Sequence, residues 1–360
     1  MRNPSLCALV ALAVAACSGG GGGSGDGAAT SAPSSPTPPP SSANFTTRCA
    51  QPGVLKCVGF DSPADIAGGF GDNSGIILSG AAAPVLDSSV KASGASSLKM
   101  TIPPNSDADT SGSFFTNFSN DLATQFGENA EFFVQWRQRF SPEFVNTFFV
   151  GGGGWKQAII GAGDKSGCTA ATSASGLCSS SCTALETVVQ NTFQRGFAQM
   201  YNSCTGSTSH GAFNPLDEPF GSFDFKLQNG RPSPYCLYSQ ANTIPPTSFP
   251  PSGSCVGYFP NEWMTFQVRI KTGPRVNDEW TNSSVTLWIA REGQPSQLAI
   301  DRESYALTAA DPTDPTMDLK FGKIWLLPYN TGKDPSQNHL TAFTWYDELI
   351  ISRTQIPDPQ

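Results

Sequence analysis

Four residues of this 360-residue chain are of a type and in a setting to move a proton: Tyr201, His210, Tyr329 and His339. Seven more are of a type to hold an anion: Gln135, Arg137, Arg139, Lys156, Gln157, Gln267 and Arg269. Together they are the parts that β-elimination from a uronic-acid polymer requires. A cation or amide neutralises the sugar carboxylate, and a Tyr, His or Lys takes the proton from the adjoining ring carbon. Arg137 and Arg139 are two positions apart, so on a strand they share one face about 6–7 Å apart, and guanidinium groups fork onto carboxylates. A plainer reading stands beside each. A loop Tyr or His also faces solvent or serves a structural hydrogen bond, and an Arg pair also makes a solvated sheet face. Trp155, Trp280 and Trp325 either stack on sugar rings or fill a core.

The elements that must position these groups are strands. Only 14% of the residues are charged, against about 25% in ordinary soluble domains, while 36 Gly and 29 Pro punctuate the chain too often for long helices and 24 Phe supply a core. Two-residue alternation predicts strands over Glu131–Phe140, with Phe132, Val134, Trp136 and Phe140 on one face, and over Trp263–Lys271, with Met264, Phe266, Val268 and Ile270 on one face. Val285–Arg291, Lys320–Leu327 and Phe343–Ser352 read as three more, with Ile76–Leu78 and Ser97–Ile102 as early ones. Short strands separated by Gly/Pro loops over some 300 residues predict an all-β fold: an antiparallel two-sheet jelly-roll sandwich with disulfide-stapled loops.

The ends and the cysteines place the domain. Residues 1–16 carry one cation and an apolar run too short to span a bilayer, the pattern of a secretory signal. Val14-Ala15-Ala16-Cys17 resembles the bacterial lipobox, which implies lipidation of Cys17; an ordinary signal with an incidental cysteine is the alternative. Residues 17–44 are a Gly/Ser/Pro tether, and 45–360 form the sandwich with a Cys-rich insertion at about 161–260. Ser18 lacks the acidic character that favours inner-membrane retention, so a lipid-anchored protein of the bacterial cell envelope, on the outer membrane, is expected. Eight cysteines remain beyond Cys7 and Cys17, and short loops suggest Cys49–Cys57, Cys168–Cys178, Cys182–Cys204 and Cys236–Cys255. Without a Cys-x-x-Cys, and with two histidines in all, zinc is a poor fit. The net charge of −8 argues against nucleic acid as a partner. Against that background, cations gathered on strand faces suit an anionic polysaccharide, bound by a monomer.

Phe60-Asp61, the strand ending Arg137-Gln138-Arg139-Phe140, the late FQVRIKTG strand and the final WYDELIIS strand resemble the concanavalin A-like jelly roll of lectins, laminarinase-type glucanases and polysaccharide lyases. The resemblance implies a glycan site on a curved sheet. The glucanase Glu-x-Asp-x-x-Glu pattern is missing, and Asp347 and Glu348, being adjacent, should point to opposite faces of a strand and form no carboxylate pair. Lys156-Gln157 resembles the Gln-bearing strand of jelly-roll alginate lyases, and Lys320-x-Gly322 their late Tyr-x-Lys-x-Gly-x-Tyr strand. Ala158 and Ile159 follow in place of the aliphatic residue and His, and Asp318 and Ile324 take the tyrosine positions. Asp347 should lie on the face of Trp345, Leu349 and Ile351, satisfied either by backbone hydrogen bonds or by a structural Ca²⁺ shared with Asp61, as the superfamily implies. Asp311, Asp314 and Asp318 form a weaker acidic loop. Three readings therefore stand: a uronate-polymer lyase, a lectin-like binder without catalysis, and a stapled structural lipoprotein.

Overall fold

The computed structural model describes residues 39, 42–67, 74–77, 82–108, 110–121, 123–147, 149, 155–163, 185–191, 198–202, 214–215, 258–311, 314–330 and 333–360. Cys17, His210 and the three suggested cysteine pairs beyond residue 160 lie outside these. The strands are numbered along the chain. One sheet has nine, seven of them running β12 (Arg275–Val276), β13 (Glu279–Ala290), β11 (Trp263–Lys271), β6 (Glu131–Phe140), β18 (Ala342–Ser352), β4 (Ser97–Ile102) and β3 (Val85–Asp87). β1 (Val54–Val58) also pairs with β18, and β14 (Gln297–Thr308) with β13. The second sheet runs β10 (Asn214–Pro215), β9 (Gln199–Asn202), β8 (Glu186–Asn191), β7 (Trp155–Ala162), β17 (Phe321–Leu326), β5 (Ser113–Asn117) and β2 (Ser74–Ile77). A ribbon of β15 (Ala310–Asp311) and β16 (Asp314–Asp318), the short helices α1 (Phe45–Cys49) and α2 (Pro142–Asn146) and a 3₁₀ turn at Pro63–Ile66 complete the described elements. Strand pairing within both sheets is antiparallel throughout. The expected all-β two-sheet sandwich is what the chain forms.

The alternation that predicts the strands also builds the core. Phe132, Val134, Trp136 and Phe140 of β6 and Met264, Phe266, Val268 and Ile270 of β11 point inward and are fully buried with Ala158 and Ile160 of β7 and Ile324 and Leu326 of β17. Phe140, Phe144, Trp155 and Tyr258 pack ring against ring at 4.6–6.1 Å, each burial contributing about 2–3 kcal/mol. Trp155 and Trp280 belong to the main core between the sheets, and Trp325, also buried, to a second apolar cluster on the outer side of the seven-stranded sheet. The stretch expected to be a Cys-rich excursion also supplies β8 and β9, which widen the second sheet by strand pairing to β7.

One expectation about β18 changes. Asp347 pairs with Arg137 and Ile350 with Gln135, three residues against two, so the strand carries a bulge, and Glu348 sits there at φ 51°. The extra residue resets the alternation. Leu349 and Ile351 join the core, while Trp345, Asp347 and Glu348 remain on the outer side, so the two adjacent carboxylates share a face.

The chain ends close over the outer face of the nine-stranded sheet. The Cys49–Cys57 disulfide, as suggested by loop length, joins α1 to β1, and Phe45, Cys49, Val54 and Cys57 pack on Phe133, Trp288, Ile350 and Ile356. Ala43 donates its N–H to the Asp358 carbonyl at 2.8 Å, and Gln360 donates to the Ala43 carbonyl at 3.2 Å.

Candidate functional site

The outer face of the seven-stranded sheet brings three of the candidate residues together. Strand register aligns Tyr201, Val188, Ile159, Trp325 and Phe115 in one row across β9, β8, β7, β17 and β5, and they form an apolar cluster with Leu327 and Tyr329. Beside this row stands Lys156, whose Nζ lies 5.9 Å from the centre of the Tyr201 ring and 5.2 Å from that of Tyr329. Its backbone N–H donates to the Tyr329 carbonyl at 2.7 Å, fixing the two segments to each other. On the other side of the row Glu186, Gly161, Lys323 and Asn117 are in register, and the Lys323 ammonium lies 5.5 Å from the Trp325 ring centre.

A bulge in β7 aims Lys156 outward. Lys156 pairs with Gln190 and Ala158 with Val189, leaving Gln157 as the extra residue. Gln157 turns into the sandwich, which corrects its expected role as a substrate ligand. Its Nε2 donates to Gln138 Oε1 at 3.1 Å, its Oε1 accepts from the Tyr258 hydroxyl, and its backbone carbonyl accepts from Tyr346 at 2.9 Å. Between the sheets an amide must satisfy all its polar atoms from the protein, and this one is spent doing so.

Burial sets the acid–base character of the face. It lowers the Lys156 ammonium below the usual lysine range, a shift partly opposed by the Glu186 carboxylate. Burial, with Glu186 and Tyr329 nearby, pushes the Tyr201 phenol up, so it keeps its proton at neutral pH. Trp325 Nε1 is a buried donor with no hydrogen-bond partner among the described residues. Glu186, Lys323 and the outward direction of Trp325 escape the reading of the sequence. The alternation of Lys323 with Trp325 in KIW and of Glu186 with Val188 in ETVVQ is the signal that would have found them.

The remaining candidates lie elsewhere. Gln135, Arg137, Arg139, Gln267 and Arg269 are on the nine-stranded sheet, and most of their polar atoms are committed to the protein itself. Gln267 clamps the tail in both directions, Nε2 donating to the Ile356 carbonyl at 3.0 Å and Oε1 accepting from its N–H at 2.8 Å. Gln135 donates to the Pro357 carbonyl at 3.1 Å and accepts from Arg48 at 2.5 Å. Arg137 lies 3.8 Å from carboxylate oxygens of both Glu292 and Glu348, the latter also paired with fully buried Arg48. Arg269 bonds Glu131 at 2.5 Å. The tail and α1 cover the face that alternation alone would leave wet, so Gln135 and Gln267 hold the chain ends where a substrate ligand was expected. Arg139 is half-buried. His339 has Nδ1 2.7 Å from the Leu340 carbonyl and its ring edge-on to Phe149, 5.4 Å between centres, contacts outside the Lys156 group. Lys320 precedes β17 and is exposed; Lys323 is the lysine that this strand presents on the site face.

Asp347 takes the first of its two readings. Its Oδ2 accepts from the Ala92 and Ser93 N–H groups at 2.8 and 3.4 Å, its Oδ1 from Glu348 N–H at 2.8 Å, and burial raises its pKa to about 7. Asp61 accepts from Ala95 and Ser96 N–H on the same loop. Gly94 lies between at φ 63°, where a Cβ would strike the Asp61 carboxylate. Amide hydrogens suit an anion and oppose a cation, so the expected Ca²⁺ finds a poor fit at these two residues. Among the described residues no group of three His, Cys, Asp or Glu converges as metal ligands.

No protein-family model matches the chain, and no curated protein does. Solved structures similar to it include jelly-roll polysaccharide lyases. The endo-β-1,4-glucuronan lyase of the fungus Trichoderma reesei is 14% identical with a TM-score of 0.42, covering 79% of this chain and 94% of its own. The alginate lyase Aly36B is 15% identical with a TM-score of 0.42, covering 85% and 99%. The marine PL-14 alginate lyase from Aplysia kurodai is 13% identical with a TM-score of 0.42, covering 74% and 86%. At such identities the chemistry must be read from this chain's own residues.

Proposed function

We propose that this protein is a polysaccharide-processing protein of the bacterial cell envelope, anchored through Cys17, that binds an anionic polysaccharide on the outer face of the seven-stranded sheet and cleaves it by β-elimination. The convergence of the Lys156 ammonium on the Tyr201 and Tyr329 rings carries the reading. Burial lowers the Lys156 ammonium below the usual lysine range, the direction that favours service as a general base. A phenol held protonated supplies a general acid. In this reading Lys156 takes the C5 proton of a uronate, the C4–C5 double bond forms, the C4–O4 bond breaks, and Tyr201 gives its proton to the departing oxygen. The negative charge that builds up on the uronate carboxylate meets Lys323 and the unpartnered Trp325 Nε1–H on the same face. Ile159, Trp325 and Phe115 are buried beneath this face, and the half-buried Tyr329 ring beside them is the apolar surface left for a sugar ring.

The test is ultraviolet detection of new unsaturated uronyl ends when the purified full chain meets alginate, glucuronan, pectate and glycosaminoglycans. Activity on one of them that disappears in Lys156→Ala and Tyr201→Phe supports the reading. No activity on any, together with binding on a glycan array, replaces it with the lectin-like alternative.

A further inference from the structure

The outer face of the nine-stranded sheet is divided. One part lies under α1 and the tail. The other carries a second row in strand register: Trp263 of β11, Arg139 of β6, Trp345 of β18, Lys99 of β4 and Val85 of β3. Four inter-strand steps make this row about 19 Å long, and Arg139 and Lys99 stand two steps, about 10 Å, apart. The aromatic rings form the floor. Trp345 is fixed by Nε1–H donation to Asp87 Oδ2 at 3.0 Å and lies 5.8 Å from the Phe343 ring. The Lys99 ammonium lies 4.4 Å above Phe343 and 5.7 Å from Trp345. Its one ion-pair partner among the described residues is Asp87 at 3.7 Å, already bonded to Trp345 and Ser89.

Arg139 is the anomaly. The other arginines of β6 and β11, Arg137 and Arg269, each face a carboxylate. The Arg139 guanidinium has no ion-pair partner among the described residues, and it stands between two tryptophans, partly open to solvent. A guanidinium with free donors is built for an oxyanion, and on a chain of net charge −8 its pull is local.

We propose that this row is a second binding surface for a carboxylated polysaccharide, separate from the Lys156 site, with Arg139 and Lys99 each taking a sugar carboxylate. It shares the ligand class of the function proposed above and none of its residues. Two cations spaced by two strands match carboxylates on alternate rings of an extended chain, and the half-buried Phe343, packed on the buried Trp345, presents apolar surface beneath a ring face. An acidic peptide fits less well, since β6 and β18 are paired on both sides and offer no free edge for a peptide backbone. Such a surface would hold a polymer against the protein while another stretch occupies the opposite sheet, raising its effective concentration there.

The test is native affinity electrophoresis of the full chain in gels containing alginate, with Tyr201→Phe as the parent so that the polymer stays intact. Arg139→Ala combined with Lys99→Ala should weaken retardation roughly tenfold, as expected when charge-assisted contacts are lost, and Arg139→Lys should retain most of it. A folded double variant retarded as strongly as its parent overturns the proposal, as does a parent that alginate does not retard. If the double variant fails to fold, Arg139→Gln makes the same comparison. Loss of binding to polyglutamate or to phosphatidylserine vesicles in Arg139→Ala, with alginate retention intact, also overturns it. A silent cleavage assay with retardation that depends on Arg139 defeats only the lyase reading.

Discussion

The outer faces of the two sheets hold similar residues in opposite service. On the nine-stranded sheet Arg48, Gln135, Gln267 and Glu348 close on one another and on the backbone of residues 43 and 356–357, and Arg137 faces Glu348 with its Nε alone unpartnered among the described residues. On the seven-stranded sheet Lys156 aims at two phenol rings, and Trp325 keeps a buried N–H without a hydrogen-bond partner among the described residues. Polar groups on a strand face are thus no guide to ligand binding until their partners are known. A buried amide or guanidinium whose donors all reach protein acceptors stabilises a fold, whereas one left with an unused donor on a ring-lined surface is available to something else.

The comparison makes separable predictions. The largest effect belongs to the site face: Lys156→Ala and Tyr201→Phe should each cut turnover by about 10²–10⁴ while leaving the melting temperature close to that of the parent. Equal loss of stability and activity would erase the distinction between the faces. On the other sheet, Arg48→Ala leaves the Glu348 carboxylate and the Gln135 amide buried without their main partner, and should cost about 3–5 kcal/mol in denaturant unfolding. The folded fraction should keep its turnover per molecule.

A third prediction concerns pH. The folded Asp347 has its pKa raised to about 7, above the unfolded value of 3.8, mainly by burial. The folded state therefore binds more protons between those values. The stability contributed by this group is greatest at the acid end and falls by up to about 1.4 kcal/mol per pH unit as pH rises from roughly 4 to 7. Asp347→Asn should flatten that stretch of the stability profile, and an unchanged profile would show that the loop amides of Ala92 and Ser93 outweigh burial. The smallest effect is that of the clasp: Cys49→Ser with Cys57→Ser opens a loop with a sequence separation of 8 and should cost about 2.5 kcal/mol. Chemical denaturation of the two proteins side by side measures it.

Much of the fold is legible in the sequence. The bounds predicted for β6, β11 and β4 are those found, because alternating apolar residues of these lengths have one stable way to bury a face. The Cys49–Cys57 link follows from the short loop between the two cysteines. Half of the candidate site is legible as well, since Lys156, Tyr201 and Tyr329 are marked by residue type alone. What brings them together is the bulge that turns Lys156 out and Gln157 in, and a bulge leaves no dependable trace in a hydropathy pattern. The bulge at Glu348 similarly puts Asp347 and Glu348 on one face against the rule of alternation.

By itself the sequence determines the sandwich, the strand faces and the kinds of chemistry within reach, because these depend on local periodicity and side-chain type. Only the tertiary structure decides which polar face is used up. The C-terminal tail lies on Gln135 and Gln267 from 222 and 89 residues away in sequence, and β8 and β9 add Glu186 and Tyr201 to a face begun by Lys156. Such contacts are set by which segments cover which sheet, a property of the folded whole that no window of neighbouring residues contains.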